Sequence, residues 1–206
     1  MNSFKDFFRK YANYVLVAFL IAFSGLIVFK GLIYINRYLE IINMYREPIT
    51  TDVIELVDIG FCSVIFISSI LVLIFMRKLI TKKNVVLRYV TLCEALISLD
   101  AFIGILLDIL DNFYFPNSKI IPAAIMISSF ILLLLSAVIV CKNDKTNFTL
   151  MIIGNFINFV IFASAASKGV TPILMAILSF FSVITATFYL ALYAVKKDEK
   201  SIENKE

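Results

Sequence analysis

Residues 89–110 read YVTLCEALISLDAFIGILLDIL. As a helix the run is long enough to cross about 30 Å of hydrocarbon, which takes roughly 20 predominantly apolar residues. Its only charged members are Glu94, Asp100 and Asp108. Lys82, Lys83 and Arg88 precede it and Asp111 follows it, so one end is basic and the other acidic. Basic residues gather in cytoplasmic loops, which predicts a spanning helix that begins at the cytoplasmic face and ends outside.

Five further runs of similar length flank this one: Tyr14 to Ile35, Leu56 to Met76, Ile120 to Cys141, Phe148 to Ser167 and Ile173 to Val195. Hydrophobic residues make up 61% of the chain and charged residues 17%, well below the roughly 25% charge of soluble globular domains. The fold class that follows is all-α: a polytopic membrane helical bundle of six transmembrane helices in three hairpins. The domain organisation is an amphipathic cytoplasmic interfacial segment over 1–13, a six-helix transmembrane domain over 14–195 and a charged cytoplasmic tail over 196–206. Span one is too long for a cleaved secretory signal, and no small-residue cleavage site follows it, so it is expected to stay as a signal anchor.

The loops repeat the asymmetry of the first run. Lys5, Arg9 and Lys10 precede span one, Arg77 to Arg88 links spans two and three, Lys142 and Lys145 follow span four, and Lys196, Lys197, Lys200 and Lys205 lie in the tail. The other side carries Arg37, Arg46, Lys119 and Lys168 against Glu40, Glu47, Asp52, Glu55, Asp58, Asp108 and Asp111. Both termini are therefore expected in the cytoplasm, with the chain in a cytoplasmic (inner) membrane. The net charge of +4 is a dipolar arrangement across the bilayer, not a nucleic-acid footprint. Tyrosines near the predicted boundaries, such as Tyr11, Tyr14, Tyr34, Tyr89, Tyr189 and Tyr193, support the same spans.

At the amino end Phe4, Phe7, Phe8 and Tyr11 recur at helical spacing opposite Lys5, Asp6, Arg9 and Lys10, as in a helix lying in the interface. Ile35, Tyr38, Leu39, Ile42 and Tyr45 form a second stripe, on an outer-surface helix or a protruding end of span one.

Several chemistries lack their residues. The chain has no histidine, which removes the commonest general base and the usual zinc and haem ligand. Its six glycines form no phosphate cradle. Cys62, Cys93 and Cys141 fall on three different spans and read as reduced, packed thiols. Neither a cofactor, a metal nor a catalytic dyad is expected, and the chain is read as non-enzymatic.

The interior is the informative part. Close helix packing is expected at Ala18, Ala22 and Gly25, at Ala124 with Ser128, at Ala163 with Ser164, Ala166 and Ser167, and at Ser182 with Ala186 and Thr187 with Ala191. Span three stands apart, because a charge at the bilayer centre costs about 2.5 to 3.5 kcal/mol on insertion scales. At 100° per residue, Asp100, Gly104, Asp108 and Asp111 share a face, and Glu94 lies about 120° around the helix from Asp100. Asn155 and Asn158 sit at matching depth on span five. Ser128, Ser129, Ser179 and Ser182 add hydroxyls from spans four and six. The expected polar core is thus Asp100, Glu94, Asn155, Asn158 and Asp108, with Asp100 clasped by the two asparagines. Lys30 is expected to pair with Asp58 or Asp108, or to snorkel outward.

These residues support transport or permeation of a small solute or ion through a polar interior around Asp100. The rival is a non-transporting membrane interaction protein, such as an immunity, assembly or regulatory subunit, whose polar residues only hold helices together. Implied partners are the lipid bilayer and the solute or ion, with no nucleic acid; a protein partner or homo-oligomer stays open.

Overall fold

The computed structural model describes residues 2–45, 53–79, 84–111, 117–138 and 144–203, and every element among them is helical. The helices are α1 (Asn2–Tyr45), α2 (Val53–Leu79), α3 (Val85–Asp111), α4 (Asn117–Val138), α5 (Asp144–Ser164) and α6 (Val170–Glu203), with a 3-10 turn (Ala166–Lys168) between α5 and α6. All six are long and apolar enough to cross a membrane, over Lys10–Ile33, Asp58–Leu79, Val85–Leu106, Ile120–Val138, Lys145–Ser164 and Val170–Val195. These windows lie within a few residues of the runs read from hydropathy.

Helix α1 runs unbroken from Asn2 to Tyr45, so the amphipathic amino-terminal segment and the span form one helix. The Phe8 ring packs tilted against that of Phe188 of α6, with centroids 4.2 Å apart, which carries the start of α1 onto the bundle. The stripe beyond span one belongs to the same helix and is its extension. Two connections have clear local causes. Asn84 takes a left-handed conformation (φ 58°) just before α3, a region asparagine tolerates better than most residues, and its carbonyl accepts from Arg88 N–H at 3.0 Å. Gly169 (φ 147°, ψ −176°) ends the 3-10 turn in a region essentially restricted to glycine.

Helix α5 packs most extensively on α6, α3 on α4, and α1 on α2, followed by α4 on α5 and α1 on α6. Among the described residues α3 is the one helix that meets all five others. The buried stripes are unusually polar. Helix α4 buries Ala123, Met126, Ser129, Leu133 and Ser136, α5 buries Asn147, Met151, Asn155 and Asn158, and α6 buries Met175, Ser179, Ser182, Thr185 and Ala186. Large apolar side chains point outward at helical spacing instead, as Val64, Ile67, Leu71 and Ile74 do on α2. Lipid tails leave amides and hydroxyls unsatisfied and solvate leucine as well as a protein core does, so polar groups turn inward and aliphatic ones outward.

Small residues follow this rule only in part. Ser182 and Ala186 are buried, and Gly25 sits against the Phe66 ring. Ala18, Ala22, Ala124, Ser128, Ala163, Ser164, Thr187 and Ala191 are exposed on the bundle surface, contrary to the packing faces expected from spacing. A small side chain loses nothing by facing lipid, so spacing alone does not select the interface.

Candidate functional site

The geometry of α3 separates two polar faces. Glu94 and Ser98, one turn apart, look toward α4, α5 and α6. Tyr89, Cys93 and Asp100 lie on the other side of the helix, and Tyr89 and Asp100 meet α2. The rotation of about 120° between Glu94 and Asp100 therefore sends the two carboxyls to different neighbours.

On the first face, Asn158 of α5 lies at a three-helix junction. Its Nδ2 donates to Ser98 Oγ at 2.8 Å, and its Oδ1 accepts from Ser129 Oγ of α4 at 2.6 Å. Ser98 Oγ can then donate to the Glu94 backbone carbonyl at 2.8 Å, so each hydroxyl proton has one acceptor. All three side chains are fully buried. The junction is a satisfied clasp of α3, α4 and α5. Both hydroxyls also have a backbone carbonyl in reach, Ser129 that of Gly154 at 3.1 Å, so interhelical bonding here contributes about 1 kcal/mol or less.

One turn deeper the accounting does not close. Ser182 Oγ of α6 donates to Glu94 Oε1 at 2.9 Å, while Glu94 Oε2 has no hydrogen-bond partner. Asn155 of α5 interacts with the Glu94 carboxyl, yet neither its Nδ2 nor its Oδ1 reaches hydrogen-bond geometry with any group. Ser179, one turn from Ser182 along α6, also has an unpartnered hydroxyl. Glu94, Asn155, Ser179 and Ser182 are each 0% exposed. No lysine or arginine of the described residues pairs with Glu94. Leaving one buried polar group unpaired costs about 1 to 3 kcal/mol, and here Glu94 Oε2 and both polar atoms of the neighbouring Asn155 are unpaired, with Ser179 Oγ a further unpaired group one turn along α6 from the Ser182 that binds Glu94. Such a cluster is complementary to something polar that is small enough to sit among packed helices. Two more buried asparagines with unpartnered atoms, Asn13 and Asn147, lie near the amino-terminal ends of the α1 and α5 spans. Asn147 is about 12 Å along α5 from Asn155, by 1.5 Å per residue.

The second face runs between α2 and α3. Tyr89 Oη lies 2.8 Å from Ser68 Oγ and 2.9 Å from Ser69 Oγ, a hydroxyl cluster joining the two helices. Further along α3, Asp100 lies against Asp58 of α2, with Cys62 nearby, and both carboxyls are partly exposed. Among the described residues nothing lies within 4 Å of where a side chain on Gly104 would begin.

The expected polar core is thus divided. Asn155 accompanies Glu94, Asn158 binds Ser98 and Ser129, and neither clasps Asp100, because α2 and not α5 covers the Asp100 face. Lys30 is exposed and donates to Thr171 Oγ1 at 3.4 Å, with no ion pair to Asp58 among the described residues. Helix α1 packs on α6 as well as α2, which brings Thr171 within reach. The side chain of Asp108 lies outside the described residues, as does Cys141. Cys62 and Cys93 are buried free thiols. Ser98, the partner that completes the clasp, was not anticipated, although its spacing of four from Glu94 on the same face was a usable signal. No group of three or more Cys, Asp or Glu that could hold a metal occurs among the described residues.

Comparison with family models, with curated proteins and with solved structures gave no match.

Proposed function

We propose that this integral membrane protein moves a small solute or ion across the bilayer, and that Glu94 is the carboxyl the moving species meets. The observation that carries the reading is the buried Glu94 carboxyl with its unpartnered Oε2, facing the unpartnered amide of Asn155. Intramembrane carboxyls are expensive, and they recur where a substrate or ion passes. Asn147, about 12 Å along α5 from Asn155 toward the amino-terminal end of that span, is a second buried asparagine with both polar atoms unpartnered. The missing histidine and phosphate cradle favour a non-catalytic role. Vesicles reconstituted with the protein test the reading. Light scattering follows small neutral solutes, and a potential-sensitive dye follows Na⁺, K⁺ and NH₄⁺. At least one species should cross faster than in protein-free vesicles; equal rates for all would contradict transport.

The orientation belongs to the same proposal: three hairpins, with both termini and the 77–88 loop in the cytoplasm of a cell's inner membrane. The basic loops support it, as does the extensive packing of each odd-numbered helix on its successor. A cysteine introduced at Asn117 should react with an impermeant reagent added outside, and one at Lys83 should not. Equal labelling from outside would reverse or abolish the topology.

The second reading, a membrane interaction subunit, has its own observation. The Asn158, Ser98 and Ser129 junction is fully satisfied without any ligand, as a purely structural clasp would be.

A further inference from the structure

We infer that Glu94, Asn155 and Ser179 bind one small monovalent cation, an alkali metal ion or ammonium. The inference rests on the reading of this centre as the transport site and names the chemical class it takes.

Charge comes first. The site holds one carboxylate, and its other groups are neutral: the Asn155 amide and the Ser179 and Ser182 hydroxyls. No cationic side chain of the described residues faces it from α3, α5 or α6. An anion would add a second negative charge in a low-dielectric interior. A divalent cation would leave a net positive charge there, and such ions are ordinarily held by several carboxylates, which this centre lacks. One positive charge balances Glu94.

Donor chemistry agrees. Glu94 Oε2, Asn155 Oδ1 and Ser179 Oγ are three unused oxygen acceptors, all hard ligands suited to a hard cation or to N–H donors. Ser182 already donates to Oε1, which leaves Oε2 as the free end of the carboxylate. The complete burial of every member limits the ligand to a dehydrated species of about one non-hydrogen atom, because larger cations would displace packed side chains.

The test is the melting temperature of the purified full-length chain in detergent. Lithium, sodium, potassium and ammonium chlorides are compared with choline chloride at one ionic strength. A ligand that binds only the folded state raises the melting point, by roughly 4 °C at ten times its dissociation constant for a chain of this size. At least one small cation should do so and choline should not, and the order of the four salts identifies metal ion or ammonium. Glu94→Gln should abolish the salt-specific rise and Asp100→Asn should keep it. Ser179→Ala removes only an unpartnered hydroxyl and should fold normally, so it decides the matter if Glu94→Gln does not fold; its apparent affinity should fall on the order of tenfold. Identical melting points in all five chlorides overturn the inference, including the case in which only pH matters and a proton occupies Glu94. A rise retained in full by Glu94→Gln or Ser179→Ala also overturns it. Cation-specific stabilisation in a protein whose vesicles carry no flux would instead sink the transport reading and leave the binding site standing.

Discussion

Glu94→Gln is expected to reduce flux through the reconstituted protein by on the order of tenfold to a hundredfold, the equivalent of one charge-assisted interaction worth about 1.5 to 3 kcal/mol. The substitution keeps the shape of the side chain and the acceptor for Ser182 Oγ. It also removes a buried carboxyl that no cationic side chain of the described residues pairs with, and adds an N–H that can meet Asn155. Stability should therefore hold or rise while activity falls, a combination that a structural residue does not give. Asp100→Asn is the control, because Asp100 lies on the partly open α2 face and its neighbour is another carboxyl. Its flux should stay within about twofold of the parent, a change of less than about 0.5 kcal/mol. Flux lost in Asp100→Asn and kept in Glu94→Gln would move the functional centre to the α2 side.

A large stability effect is expected at Gly154, a buried position of α5. A Cβ built there would lie 2.7 Å from Leu133 Cδ2 and 2.8 Å from Leu133 Cγ, with Leu132 Cβ at 3.4 Å. Helix α5 can approach α4 this closely only without a side chain at 154. Gly154→Val should lower unfolding free energy by about 3 kcal/mol through overpacking. Gly154→Ala should cost less, since alanine gains up to about 1 kcal/mol of helix propensity over glycine. Adding Leu133→Ala to the valine variant should recover part of the loss, and the coupling in a double-mutant cycle would locate the clash. Because Asn155 and Asn158 ride on the same helix, the valine variant should lose flux as well. Additive effects of Gly154→Val and Leu133→Ala would mean that the two residues do not meet.

Spans, helix count and the identity of α3 as the polar helix were legible because each depends on length, hydropathy and charge within one segment. The 120° separation of Glu94 and Asp100 was legible for the same reason. Which carboxyl faces which neighbour was not, since rotation about the helix axis is set by packing against helices distant in sequence. Asp100 drew attention because it lines up with Gly104, Asp108 and Asp111 in sequence, yet Asp100 meets Asp58 of α2, and among the described carboxyls it is Glu94 that meets α5 and α6. Lys30 illustrates the same limit. Its depth predicted pairing with Asp58 or Asp108, or snorkelling outward, while the packing of α1 against α6 put Thr171 in reach of the exposed lysine. Small-residue spacing was the weakest signal, as the exposed Ala18, Ala22 and Ala124 demonstrate.

The central claim is that a water-soluble species reaches the buried group formed by Glu94 and Asn155. Chemical access to position 155 tests it most directly. In a protein with Cys62, Cys93 and Cys141 replaced by alanine, Asn155→Cys should react with Ag⁺, a monatomic thiol-reactive cation of the size the centre admits, and the reaction should block flux. Leu178→Cys, equally buried on α6 but within the apolar cluster, is the reference for a dry position. The account predicts that Asn155→Cys reacts and Leu178→Cys does not; equal inertness of the two would contradict it and leave the polar centre as a structural clasp.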